Sequence, residues 1–169
     1  KTGDAKTDSS MILPIVGYFV GPATTIGVGV GNIASKTVDG AGVTTSDGST
    51  FVVKPLVRKY WNIKGGFFFY GQAAVPIMTG KTDYFDPITL VASDSKSTSV
   101  SLEVSPGFDY VVNKWMTVET SFTILNVGST TTTPNVGEKT TTFGFKANPM
   151  NSVADRALGN LQVGVKFLF

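Results

Sequence analysis

Leu161-Gln-Val-Gly-Val-Lys-Phe-Leu-Phe169 is the stretch whose reading decides the fold of this chain. Leu161, Val163, Val165, Phe167 and Phe169 alternate with Gln162, Gly164, Lys166 and Leu168. Period-two alternation predicts a β-strand with one apolar face. The other face carries a lysine, yet the apolar face runs unbroken to the final aromatic. A strand surrounded by water gains little from ending on three bulky apolar residues, because termini usually fray into solvent. A strand at a membrane interface has a use for them.

Composition points the same way. The chain has 169 residues, of which 15% are charged, against the ~25% usual in soluble domains. It contains no cysteine, which excludes a disulfide framework and thiolate metal sites. It contains no histidine either, which removes the usual general base, the Ser-His and Cys-His nucleophile systems and the commonest metal ligand. No catalytic residue, cofactor site or metal site is expected. A net charge of +2 without a basic cluster makes nucleic acid an unsuitable partner. No run of ~18 apolar residues is present, so no transmembrane helix is expected.

Read in order, the chain predicts strands and turns throughout. Residues 1–10 read as a polar loop, and 11–20 as a strongly apolar strand ended by Gly21-Pro22. Residues 24–34 form the next strand. Its Gly27, Gly29 and Gly31 resemble a phosphate loop only superficially, because no helix follows and the alternation continues. Further strands are expected at 50–61, 67–79, 98–112 and 116–127, and one long or interrupted strand at 140–169, broken by Asn148-Pro149 and the polar patch from Asn151 to Arg156. The short connections are Gly21-Pro22, residues 62–66 and residues 113–115; the long polar ones are 35–49, 80–97 and 128–139. Asp83, Asp86 and Asp94 in the second long loop match no calcium-loop spacing. Pro14, Pro55, Pro76 and Pro106 fall inside strands, where local bulges or unpaired carbonyls are expected.

Seven strands are clear in a fold of about eight, all-β, antiparallel and up-and-down. Alternation assigns the faces. Phe51, Val53, Pro55 and Val57, then Phe69, Ala73, Val75 and Ile77, then Val100, Leu102, Val104 and Phe108, then Val118, Phe122 and Ile124, point outward. Lys54, Arg58, Gln72, Glu103, Asp109, Glu119, Lys146 and Lys166 point inward, with no mid-strand charge expected outside. Aromatics gather at the short turns: Tyr18 and Phe19, Tyr60 and Trp61, Tyr70, Tyr110 and Trp115. Such clustering is what an interfacial aromatic belt requires.

The closing stretch resembles the last strand of bacterial outer-membrane β-barrels. Pro14-x-x-Gly17-Tyr18-Phe19 and Pro55-x-x-Arg58-x-Tyr60 are similar to motifs of small barrels described as porin-like or OmpX-like. The resemblance spans residues 11–169. It implies a transmembrane up-and-down β-barrel in the outer membrane of a Gram-negative bacterium, embedded in outer-membrane lipid. Leu161, Val163, Val165, Phe167 and Phe169 would then be the signal read by the barrel-assembly machinery, and residues 1–10 the remnant of an extracellular loop. It implies architecture and place rather than chemistry: a structural or interaction role through the outer loops, or as a subunit of an outer-membrane complex. A narrow diffusion porin and a soluble lipocalin-like ligand-binding barrel are the alternatives. A barrel of about eight strands is filled by its own side chains, which disfavours the porin.

Within that barrel, Arg58, Asp109, Glu119 and Lys166 are expected in one layer of the lumen and Lys54 with Glu103 in a higher one. Asp109 and Glu119 face each other across the turn at Lys114 and need cations, with Lys166 expected near Glu119 and Arg58 near either acid. Parity adds a last expectation. A chain that ends downward after seven strands lacks one ascending strand, so a strand upstream of Lys1 or another chain should fill the gap between residues 11–20 and 161–169.

Overall fold

The computed structural model of the chain describes residues 6–86, 91–135, 137–147 and 161–167. Every regular element among them is a β-strand. In chain order these are β1 (Lys6–Ile12), β2 (Ile15–Gly21), β3 (Thr24–Val38), β4 (Thr44–Lys64), β5 (Phe67–Ala74) and β6 (Ile77–Asp86), followed by β7 (Val91–Asn113), β8 (Met116–Phe122), β9 (Leu125–Pro134), β10 (Thr140–Ala147) and β11 (Leu161–Phe167). All pairings are antiparallel within one sheet.

Eleven strands occupy seven positions. β1 and β2 both lie along β3, β5 and β6 both lie between β4 and β7, and β8 and β9 both lie along β7. The last position is filled by β11 against β8 and β10 against β9, so residues 140–147 and 161–167 share one position, the interrupted form of the expected last strand. The result is an up-and-down meander. Its two flanks, β1–β2 and β10–β11, each pair on one side only among the described residues.

Three of the four strand prolines, Pro14, Pro55 and Pro76, interrupt this meander without shifting it. Ile12 pairs Asn32 and Ile15 pairs Gly29, so two residues oppose two across Leu13-Pro14. The same count holds across Val75-Pro76, between the pairs Ala74–Glu103 and Ile77–Val100. Nor are carbonyls stranded: those of Pro14, Pro55 and Pro76 accept from Val30 N–H, Val75 N–H and Ser101 N–H at 2.9–3.1 Å. The expected bulges are therefore absent at these three prolines. At the fourth, Pro106, the expectation holds: Ser121 pairs Gly107 and Leu125 pairs Val104, so Phe122-Thr123-Ile124 oppose Ser105-Pro106, three residues against two.

The strands also run further than the apolar pattern predicts. Residues 6–10 belong to strand β1 rather than to a loop, and the 35–49 loop shrinks to a turn closed by Asp39, whose Oδ1 accepts from Ala41 and Val43 N–H (2.9 and 2.8 Å). Most of 80–97 and 128–139 is likewise β6, β7 and β9. On the opposite end, Asn62–Lys64 belongs to β4, leaving Gly65-Gly66 as the turn, with Gly65 at φ +56° where glycine has no steric penalty. These extensions are ladders of hydroxyl residues: Thr7 pairs Thr37 and Thr131 pairs Thr141 through side-chain hydrogen bonds of 3.1 and 3.0 Å. Cross-strand threonines stabilise a sheet without an apolar face. Hydropathy alternation does not register them.

The sheet is strongly curled. From β4 to β8 are three inter-strand steps, ~14 Å in a flat sheet, yet Arg58 and Glu119 are in direct contact. From β4 to β11 are four steps, ~19 Å if flat, and Lys166 Nζ lies 3.4 Å from the Tyr60 hydroxyl. The concave face holds the core: Val52, Leu56, Tyr60, Tyr70 and Ala74 are buried there together with Lys54, Arg58, Gln72, Ser105, Asp109 and Thr117.

Register makes the convex face a continuous apolar band. Val30, Val53, Ile77 and Val100 stand in one row across β3, β4, β6 and β7. Val28, Pro55, Val75, Leu102, Val127 and Phe145 align beside it. At the short-turn end the band terminates in aromatics: Trp61 on Phe69, Phe67 stacked on Phe108, and Trp115 stacked on Phe167, with centroids 5.5–5.9 Å apart. At the other end it gives way to Asn32, Thr79, Thr98 and Thr131.

Candidate functional site: the concave charge network

Two layers of ion pairs cross the concave face. In the layer nearer the short turns, Arg58 forks onto Glu119 (Nη1–Oε2 2.5 Å, Nη2–Oε1 3.1 Å) while its Nε donates to Gln72 Oε1 at 2.6 Å. A bidentate guanidinium–carboxylate pair is the strongest geometry available to these side chains. Lys166 pairs with Asp109 and stands 3.7 Å from Glu119 Oε2. The rings of Tyr70 and Tyr60 complete the layer, under Arg58 at 4.8 Å and Lys166 at 5.1 Å from their centroids. In the second layer Lys54 Nζ meets Glu103 Oε2 at 2.6 Å, and Asn126 Nδ2 donates to Glu103 Oε1 at 3.2 Å.

These groups are buried: Lys54, Arg58 and Asp109 expose 7%, 6% and 4% of their surface. A buried charge is tolerated only when paired and hydrogen-bonded. Each layer balances its charge, two cations with two acids below and one with one above. The arrangement fixes the curl of the sheet and spans its concavity with side chains. Among the described residues, no group of three or more carboxylates is placed to hold a metal ion.

Alternation and hairpin geometry place all six charged residues on this face. Asp109 and Glu119 are direct cross-strand partners, as expected, through the turn at Lys114 and a register shift between Val111 and Asn113. The expected approaches of Lys166 to Glu119, at 3.7 Å, and of Arg58 to one of the acids are both present; what sequence reasoning missed is the closer pairing of Lys166 with Asp109. Lys166 meets Asp109 more closely than Glu119, because Glu119 is already occupied by Arg58. Asn126 was also missed. The bulge after Thr123 resets its parity, and no residue type announces that shift.

The aromatic assignments need correction. Tyr18, Trp61, Tyr110 and Trp115 stand on the convex face, well exposed. Tyr60 and Tyr70 are buried on the concave face, and Phe19 joins them there, its ring 5.9 Å from that of Tyr60. Phe19, still half exposed, follows the parity of Thr25, its partner on β3, whose side chain is buried on the inside. One charge departs from the expected pattern in the other direction. Lys59 shares the outward parity of Val57 and Trp61 and is exposed; it lies level with Thr24, beside the β2–β3 turn, where a long stem can carry its ammonium past the apolar band.

Within the closing stretch, Val163, Val165 and Phe167 are exposed on the convex face, and Leu161 begins β11. Phe169 and the interruption at 148–160 lie outside the described residues, as do Asn148-Pro149 and Arg156. Comparison of the chain with protein-family models, with curated proteins and with solved structures found no match.

Proposed function

We propose that the chain builds a small integral β-barrel of the Gram-negative outer membrane, its lumen filled by its own side chains, with a structural or interaction role. The observation that carries this reading is the inversion of the two faces. Apolar residues crowd the exposed central band of the convex face, while the ion pairs level with that band are buried on the concave face. Exposed convex charges such as Lys36, Asp47, Lys81 and Asp83 lie beyond the band at the long-hairpin end. A protein surrounded by water stabilises the opposite arrangement, since burying apolar surface is worth about 25 cal/mol per Å² and burying charge is costly. A surrounding lipid phase reverses both preferences for the convex face. The aromatic collar at one end of the band, with polar Thr and Ser ladders at the other, suits the two interfaces of a bilayer.

In this reading the turns at Pro22-Ala23, Gly65-Gly66 and Lys114-Trp115 face the periplasm. The hydroxyl-rich outer ends of the β3–β4, β6–β7 and β9–β10 pairs face outward and carry the contacts with other molecules. The one-sided flanks β1–β2 and β10–β11 supply the edges for an additional ascending strand, since unpaired backbone in lipid is strongly unfavourable. Outer-membrane lipid and the barrel-assembly machinery are the partners this place implies, and a neighbouring outer-membrane protein is a candidate for the additional strand. The interior ion pairs, which bridge the concavity, disfavour a diffusion pore.

Membrane fractionation tests the reading. The protein should remain in membranes through carbonate and urea washes and should partition into the detergent phase on phase separation. Recovery in the aqueous phase, as a soluble ligand-binding barrel would show, overturns it. In planar bilayers the protein should give no stable solute-sized conductance; a steady conductance would replace the plugged lumen by a porin.

A further inference from the structure

The buried ion pairs balance within each layer, but one inward cation lies outside them. Glu103 on β7 pairs Asn126 on β9, and Asn126 pairs Lys146 on β10. Direct cross-strand partners share a face. Asn126 Nδ2 donates to Glu103 Oε1 on the concave side at 3.2 Å, so Lys146 stands on that side too. Its depth is that of the apolar band, because its neighbour Phe145 lies in the outward row with Leu102 and Val127. Lys146 is exposed, and among the described residues it forms no ion pair. Glu103 does not serve it. Two strand positions, ~10 Å, separate their backbones, and the two oxygens of Glu103 are held by Lys54 and Asn126.

Lys146 also stands at an open edge. Among the described residues β10 pairs only β9 and β11 only β8, so this flank presents a row of unpaired N–H and C=O groups. A strand added there bonds to that row and sets its inward side chains beside Lys146. The opposite flank brings no acid to that face. Asp8, the one carboxylate of β1 and β2, pairs Lys36, which shares the outward parity of Asn32. A strand with a neutral inward face would therefore enclose the ammonium without a counter-charge, which is strongly unfavourable. One carboxylate at that level gives the upper layer two cations and two acids, as in the lower layer. We infer, resting on the membrane reading above, that the β10–β11 edge takes a β-strand with apolar residues outward and an aspartate or glutamate facing inward at the level of Lys146.

The test uses the full chain in lipid nanodiscs and peptides of about ten residues, long enough to cross the apolar band. The peptides alternate leucine with threonine, and their central threonine is replaced by aspartate, asparagine or lysine. The aspartate peptide should bind about tenfold more tightly than the asparagine peptide, and the lysine peptide weakest. In Lys146→Glu the order should reverse. That variant touches none of the buried pairs; if it does not fold, Lys146→Met serves, and should bind the aspartate and asparagine peptides equally. A carbodiimide should join the bound aspartate to Lys146, as located by mass spectrometry. Equal affinities for the three peptides, an unchanged order in Lys146→Glu, an aspartate preference kept in Lys146→Met, no saturable binding, or coupling of Lys146 to an acid of its own chain overturns the inference. Detergent-phase partition separates the two readings. A protein that stays aqueous overturns the membrane reading and this inference together, whereas one that enters detergent yet shows no preference for the acid overturns this inference alone.

Discussion

Arg58 on β4 and Glu119 on β8 are separated by two intervening strand positions, yet their side chains form a bidentate pair across the concave face, at 2.5 and 3.1 Å. The pair therefore reports the curvature of the whole sheet. It also makes curvature and charge balance a single property: uncurling the sheet would strand a guanidinium that is 6% exposed.

Removing one partner should be far worse than removing both. Glu119→Ala leaves Arg58 buried and Lys166 with one acid fewer, and should destabilise the fold by about 3–5 kcal/mol. The double variant Arg58→Met with Glu119→Leu should recover much of that loss, because apolar replacement of a buried pair is often neutral. Urea-induced unfolding in lipid vesicles measures both. Equal losses in the single and double variants would mean that the pair is not coupled.

The convex face gives the sharpest discrimination between lipid and water. Leu102 is 42% exposed in the middle of the apolar band. If lipid covers it, Leu102→Lys should cost about 2–4 kcal/mol near the midplane and reduce the folded fraction in vesicles. If water covers it, the same change should stay within about ±0.5 kcal/mol. Lys59→Leu, at the end of the band, should be near neutral under either solvent.

Gly107 lies under the ring of Tyr70, with the carbonyl of Thr120 alongside. A Cβ on Gly107 would fall 2.5 Å from Tyr70 Cζ and 2.4 Å from that carbonyl oxygen. The fully buried Tyr70 has no room to retreat. Gly107→Ala should therefore destabilise by about 1–3 kcal/mol, the usual penalty of overpacking, whereas Gly144→Ala, with open space around it, should be tolerated. Parallel unfolding curves of the two variants check this.

Sidedness can be read with single cysteines, since the chain has none of its own. In intact cells an impermeant thiol reagent should label Ala41→Cys, in the Asp39 turn, and should reach Lys114→Cys only after the outer membrane is opened. The reverse order would invert the proposed topology.

Much of this was legible in the sequence because strand geometry is local. A period of two assigns each residue to a face, so Lys54, Arg58, Glu103, Asp109, Glu119 and Lys166 fall on one side before any strand is paired. Counting from a three-residue turn centred on Lys114 sets Asp109 opposite Glu119; the turn formed is one residue tighter, and a register shift between Val111 and Asn113 restores that pairing. Extent was harder to read. β1 and the hydroxyl ladders continue as strands with no apolar stripe to mark them, held by backbone pairing and by contacts such as Thr131 to Thr141.

The sequence by itself determined that this is an antiparallel all-β chain and which residues share a face. Tertiary structure decided the rest: that Arg58 takes Glu119 and Lys166 takes Asp109, that Phe19, Tyr60 and Tyr70 turn inward while Trp61 and Tyr110 turn out, and that Lys146 comes level with Glu103 at an open edge. The physical reason is range. Alternation and hairpin counting act between neighbours a few ångströms apart, whereas these contacts depend on the curl and register accumulated over several strands.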